Sequence, residues 1–263
     1  MSIKLQSVEL RVADVEGAAR FFSDVWGLTR VPEGGAVKLR GTAGFPYLIG
    51  LERGEPAIRG ITFCGPASEI GKPREVRGPE GETYRFVVEQ PVPALPASRD
   101  KPIQLSHVVL NSADVDAAER FAMESLGFKV SDRTRHMSFV RCNRMHHCIA
   151  YARAGFTSLN HIAFDMADID AVMRGIGRLR DAGYTPVWGP GRHGPGNNVF
   201  GYFIGPHGGV VEYTAEVSEV DDDYKVGGPD DWKWPPGRTD HWGVSTRDNE
   251  RIGKAEQAFR WTA

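Results

Sequence analysis

Three side chains able to bind a divalent metal stand at strand-like sites in the second half of this 263-residue chain. His107 lies in Leu105-Ser-His107-Val-Val-Leu110, His161 in Leu159-Asn-His161-Ile-Ala-Phe164, and Glu212 in Gly205-Pro-His-Gly-Gly-Val-Val-Glu212-Tyr213. Each has apolar and β-branched neighbours, the composition of a strand. Two imidazoles and a carboxylate from three strands can cap one face of an ion and leave the other open. That facial set suits non-haem Fe(II) chemistry with substrate and gas on the open face, and Mn(II) accepts the same donors.

Further groups could act beside such an ion. Met145-His146-His147-Cys-Ile-Ala150 puts two histidines side by side at the start of a strand. Side chains on a strand alternate faces, so only one of them can look toward the metal. His146 is expected to be structural and turned away. Gly191-Arg-His193-Gly-Pro-Gly-Asn197 is a glycine-rich bend carrying another imidazole, and Tyr202 follows in Phe200-Gly-Tyr202-Phe203. A lone histidine on a strand is more often a core residue than a ligand, so these positions gain weight only as a set. His136 and His207 read as turn or surface residues, and His241 and Trp242 as weak pocket candidates for which plain packing is the better reading.

The elements that must position these groups come as a repeat. Residues 7–21, SVELRVADVEGAARF, match residues 107–121, HVVLNSADVDAAERF, without a gap. Each gives a strand, an Ala-Asp-Val helix start with Asp14 or Asp114 as N-cap, and a helix ending near Trp26-Gly27 or Leu126-Gly127. Ala57–Phe63 parallels Ser158–Phe164, and Gly78–Arg85 parallels Gly205–Glu212. The slots of His107, His161 and Glu212 are held in the first copy by Ser7, Gly60 and Arg85. Arg85 cannot deprotonate and would repel a cation. The first half therefore has the scaffold without the metal site, which weakens the reading of the three as ordinary strand residues.

Helices are expected over 113–124 and from Ile169 to Ala182-Gly183, where Ile169, Val172, Met173, Ile176 and Leu179 recur at helical spacing. Strands are expected near 127–133, 137–142, 147–152, 185–188, 199–204 and 209–215. Strand, helix, then several strands, twice over, argues for α+β modules whose curved mixed sheets form a cup around the metal. Gln90–Asp100 holds three prolines and reads as a stiff connector. The expected domains are 1–97 without metal, 98–216 with it, and a Trp/Pro-rich extension over 217–263. Its three nearby tryptophans, Trp232, Trp234 and Trp242, predict packing on the body, a neighbouring subunit or the pocket mouth.

At these residues the second half resembles the catalytic half of the type I extradiol ring-cleaving catechol dioxygenases, of the vicinal oxygen chelate superfamily. The resemblance covers about residues 5–216 and implies the two-domain fold of repeated βαβββ modules. It implies His107, His161 and Glu212 as iron ligands, His147 as the acid–base histidine, and His193 and Tyr202 as hydrogen-bond partners of the substrate. It further implies a catecholic substrate, O2, and cleavage beside rather than between the two hydroxyls. The chain is short for a two-domain member, the second helix of the first half shrinks to about Ser68–Gly71, and the Trp-rich tail matches nothing in the family. A glyoxalase-like lyase or isomerase, a 4-hydroxyphenylpyruvate-type oxygenase and a metal-free binding member are the alternatives on this scaffold.

Composition fits a globular domain, with 41% hydrophobic and 25% charged residues. A formal net charge of −2 gives no argument for nucleic acid or an anionic membrane as partner. No signal peptide or bilayer-length apolar run is read. Three cysteines without CxxC spacing predict reduced thiols and a cytoplasmic setting, with Cys148 buried and inert. A homo-oligomer is expected on general grounds.

Overall fold

The computed structural model describes residues 2–32 and 36–261. In its first half, β1 (Lys4–Val12) leads into α1 (Val15–Arg20), which runs on through a π-helical turn, Phe21–Val25. Then come β2 (Thr29–Val31), β3 (Val37–Arg40), β4 (Ile49–Arg53), β5 (Ala57–Gly65), the short α2 (Ala67–Ile70), β6 (Arg74–Arg77) and β7 (Thr83–Val88). The second half repeats the plan with β8 (Gln104–Ser112), α3 (Val115–Glu124), β9 (Lys129–Arg133), β10 (Met137–Arg141), β11 (Ile149–Arg153), β12 (Ser158–Asp165) and α4 (Ile169–Asp181). It is completed by β13 (Trp188–Arg192), β14 (Val199–Ile204) and β15 (Val210–Ala215), followed by α5 (Asn249–Ala255) and β16 (Arg260–Trp261).

Each half forms one mixed sheet. The first runs β2-β3-β4-β1-β5-β7-β6 and the second β9-β10-β11-β8-β12-β15-β14-β13. Register makes the repeat concrete. Ser7 pairs with Thr62 and Thr62 with Arg85, as His107 pairs with Ala163 and Ala163 with Glu212. The aspartates before the helices cap them: the side chains of Asp14, Asp114 and Asp168 accept from the N–H groups of Gly17, Ala117 and Ala171.

Alternation along the strands separates core from cup. On β8, Val108 and Leu110 join the main core, while His107, Val109 and Asn111 line a cavity on the other face. On β15, Val211 and Tyr213 face the core and leave Glu212 on the opposite face. The main core is continuous across both halves. Trp26 stacks on Tyr213 at 3.8 Å, and the hydroxyls of Tyr84 and Tyr151 meet at 3.1 Å. Burying a large apolar side chain of this kind contributes about 1.5–3 kcal/mol.

One expectation needs correction. The strand expected near 185–188 lies at Trp188–Arg192 instead. Its Gly-Pro-Gly centre has poor strand propensity, but β13 is the edge of the sheet, where proline is tolerated. His207 sits in a turn, as expected, and is half-buried there. Its ring packs against Phe22 and Phe259, and burial pushes its pKa down to about 4. The tail packs on the body. It forms α5, and β16 then pairs with β5, so the C-terminal strand belongs to the first sheet.

No helix among the described residues is long and apolar enough to cross a membrane. Cys64, Cys142 and Cys148 are free and buried.

Candidate metal centre

His107, His161 and Glu212 converge inside the second sheet's cup. One ligand atom from each lies within 4.8 Å of the others. His107 Nε2 and His161 Nε2 are 3.3 and 3.1 Å from Glu212 Oε2. Three adjacent strands supply them, because β8, β12 and β15 are neighbours in the sheet. A register shift between Leu159 and His161 lets Asn160 and His161, consecutive residues, both line the cavity.

The chemistry of the cage suits a cation. His161 Nδ1 lies 2.7 Å from Asn160 Oδ1, an acceptor, so Nδ1 carries the proton and Nε2 holds a lone pair. His107 Nδ1 is likewise engaged, 3.0 Å from Ser106 Oγ. Glu212 Oε2 is fully buried and makes no aligned hydrogen bond. The bare His161 Nε2, the His107 Nε2 and an unsatisfied carboxylate oxygen thus face one point, which a divalent ion satisfies and protein alone does not. Burial pushes the Glu212 carboxyl up, and protonated imidazoles at His107 and His161 would pull it well below the usual range; with His161 Nε2 bare, a bound cation takes that part. Burial lowers His107, with Glu212 opposing.

The remaining residues singled out in the sequence stand around this cage. The His147 ring is 4.2 Å from that of His107, and burial, aided by neighbouring imidazoles, drives its pKa well down. His193 Nε2 is 3.0 Å from Tyr202 Oη, which in turn is 3.4 Å from His161 Nε2. Burial lowers His193 to about 4 and raises Tyr202 well above its ordinary value, the latter reinforced by Glu212. The His193 ring stacks on Phe200 at 4.0 Å. A side chain at Gly191 would collide with that ring, its Cβ 2.3 Å from Phe200 Cζ, so the glycine of this bend permits the stack. His136 is exposed at the cavity mouth, and His241 is exposed.

The cavity has a volume of about 770 Å³. Val109, Phe139 and Trp188 form apolar wall, and the tail adds Trp234, Arg247 and Ile252. Arg247 is held by Glu256 at 2.9 Å and lies over Trp188. Trp234 belongs to the tryptophan cluster for which the sequence predicts packing, the pocket mouth among the choices, whereas Arg247 and Ile252 carry no such signal. Also missed was Asn198, whose Nδ2 reaches Thr214 Oγ1 at 2.7 Å and Glu212 Oε1 at 3.4 Å. Trp242 packs under Arg192, away from the cavity.

Comparison with known proteins follows the same lines. The family model described as "Glyoxalase/Bleomycin resistance protein/Dioxygenase superfamily" matches residues 104–213. Metapyrocatechase 2 of Cupriavidus necator is 32% identical over 168 residues, which cover 63% of this chain and 48% of that protein. The 3-methylcatechol 2,3-dioxygenase of Pseudomonas putida is 32% identical over 126 residues, 44% of this chain and 43% of its own. The chain thus spans about half the length of the curated relatives it matches. Among solved structures, the Mn(II)-bound glyoxalase from Novosphingobium aromaticivorans superposes with a TM-score of 0.81 at 32% identity, covering 94% of this chain and 93% of that one.

Proposed function

From the premise that the chain belongs to the Glyoxalase/Bleomycin resistance protein/Dioxygenase superfamily, we propose that it is an extradiol dioxygenase that cleaves a catechol-type aromatic with O2 at an Fe(II) site. The observation that carries the reading is the placement of His147, His193 and Tyr202 around a cage of two histidines and one glutamate. His107, His161 and Glu212 would hold the ion. When bound, the metal supplies Lewis acidity toward a catechol oxygen and a redox centre for O2.

The other steps fall to the chain's own groups. His147 takes a proton from a substrate hydroxyl and later returns one. His193 and Tyr202 hydrogen-bond the substrate oxygens and fix the ring's orientation. Val109 and Phe139 give the ring an apolar seat and exclude water. Burial of three free thiols supports a reducing, cytoplasmic setting.

The relative named as a Mn(II)-bound glyoxalase supports a second reading, a lyase or isomerase on the same cage. One carboxylate ligand and the His147, His193, Tyr202 set favour the dioxygenase. The test is oxygen uptake by iron-loaded protein against a catechol panel, watched for a yellow ring-opened product. No uptake with any catechol, together with anaerobic turnover of a methylglyoxal–thiol hemithioacetal, would overturn the proposal in favour of the second reading.

A further inference from the structure

Asp132, His146 and His147 form a buried hydrogen-bonded line, of which the reaction above uses only the last. Asp132, on β9, and His146 are 0% and 1% exposed. Asp132 Oδ1 accepts the Gly227 N–H at 2.7 Å, and the Tyr224 hydroxyl lies 3.2–3.3 Å from both carboxyl oxygens. Oδ2 faces His146 Nε2 at 2.7 Å. A neutral His146 so placed carries its proton on Nε2 and has a lone pair on Nδ1. That Nδ1 is 3.0 Å from Nδ1 of His147. Two lone pairs would repel at this distance, so His147 supplies the proton between them. Nε2 of His147 is then the bare nitrogen, and the ring lines the cavity.

We propose that Asp132 and His146 are positioning residues that hold His147 in its Nδ1–H tautomer, so that a proton-accepting Nε2 meets the substrate. The identity of that substrate rests on the catechol reading; the tautomer does not. His147 therefore acts first as a base. The O–H bond of a substrate hydroxyl breaks and an Nε2–H bond forms. The imidazolium keeps its Nδ1 proton in the bond to His146, with the Asp132 carboxylate at the far end. Returning the Nε2 proton to a product oxygen restores the starting tautomer. An aspartate orients the general-base histidine of the serine-protease triad by the same logic. The line also gives the tail a purpose, because Tyr224 and Gly227, both beyond the second sheet, hold Asp132.

The test is a long-range 1H–15N spectrum of the 263-residue chain, labelled in histidine and stripped of metal by chelation, with His147 signals assigned by His147→Asn. His147 is expected protonated on Nδ1 and His146 on Nε2. In Asp132→Asn the amide donates to His146 Nε2, which reverses both tautomers without turning either ring and puts the His147 proton on Nε2. Iron-loaded Asp132→Asn should keep its metal while kcat falls roughly 10²- to 10⁴-fold, the range for loss of a general base, with KM little changed. An Nε2–H tautomer of His147 in the parent protein overturns the proposal, as does an Asp132→Asn variant with unchanged tautomer and kcat. If Asp132→Asn does not fold, the parent spectrum decides alone. The expected tautomer with no catechol turned over sinks the reaction and leaves the positioning role standing.

Discussion

Arg85 and Glu212 hold the same register position in two sheets of one design, each cross-strand from the equivalent residue, Thr62 or Ala163. Glu212 turns toward two histidines, whereas Arg85 places its own cation in the corresponding space. Its Nη1 is 3.0 Å from Glu9 Oε2 and its Nε 3.1 Å from Glu75 Oε2. A Cβ on Gly60, the counterpart of His161, would come within 2.2 Å of that Nη1. The first sheet thus fills with a guanidinium the site that the second leaves for a metal. Burial raises Glu9, and hydrogen bonding by Ser7 and the charge of Arg85 work against that rise.

Arg85→Met should therefore leave the Glu9 carboxylate without its cation. Glu9 is half-buried and keeps the Ser7, Tyr47 and Thr62 hydroxyls, so the expected loss is about 1 kcal/mol of stability, the upper end for a partly exposed ion pair. Urea unfolding measures it. Metal stoichiometry should stay at the parent value, and a drop in bound metal would contradict the assignment of the site to the second sheet.

Asn160→Ala removes the acceptor that fixes His161 Nδ1–H. Loss of such an outer partner typically weakens a metal site roughly 10- to 100-fold. Competition with a fluorescent chelator reads the affinity directly. Parent-like affinity would show that the ring orientation is set elsewhere.

His147→Ala and His147→Asn should retain the metal and lose turnover, by about 10²- to 10⁴-fold for a missing acid–base group. Metal analysis beside steady-state kinetics separates this from ligand loss, for which Glu212→Ala, expected to bind no metal, is the control. A His147 variant running at the parent rate would remove that residue from the chemistry.

Asp165 sets a pH dependence with a definite sign. Burial pushes its carboxyl up to about 6, against the help of Gln104. The folded chain then holds a proton that the unfolded chain releases between about pH 4 and 6. Its contribution to stability is present at low pH and is lost as pH rises through that window. Asp165→Asn, a mimic of the protonated form, should match the parent near pH 4 and exceed it by on the order of 2 kcal/mol above pH 7. Unfolding curves at the two pH values check this, and an equal gain at both would rule out the titration.

Much of the site was legible in the sequence because its information is local. The repeat of strand, N-capping aspartate and helix shows in consecutive residues, and three substitutions within it mark which copy can ligate a metal. Strand alternation then tells that His107 and Glu212 turn away from their apolar neighbours. The partners that depend on distant pairing were not legible. Asp132 reaches His146 across 14 residues and Gly227 across 95, and Arg247 and Ile252 enter the cavity from a tail that no periodicity marks. His207 lies in the turn that the sequence marks, but its ring partners Phe22 and Phe259 are far away in sequence. The residue types and their order settled which chemistry the chain could host. How the cavity is walled, and which neighbour holds each imidazole, was decided by sheet register and chain closure, since contacts between residues far apart in sequence obey packing and hydrogen-bond satisfaction over the whole fold.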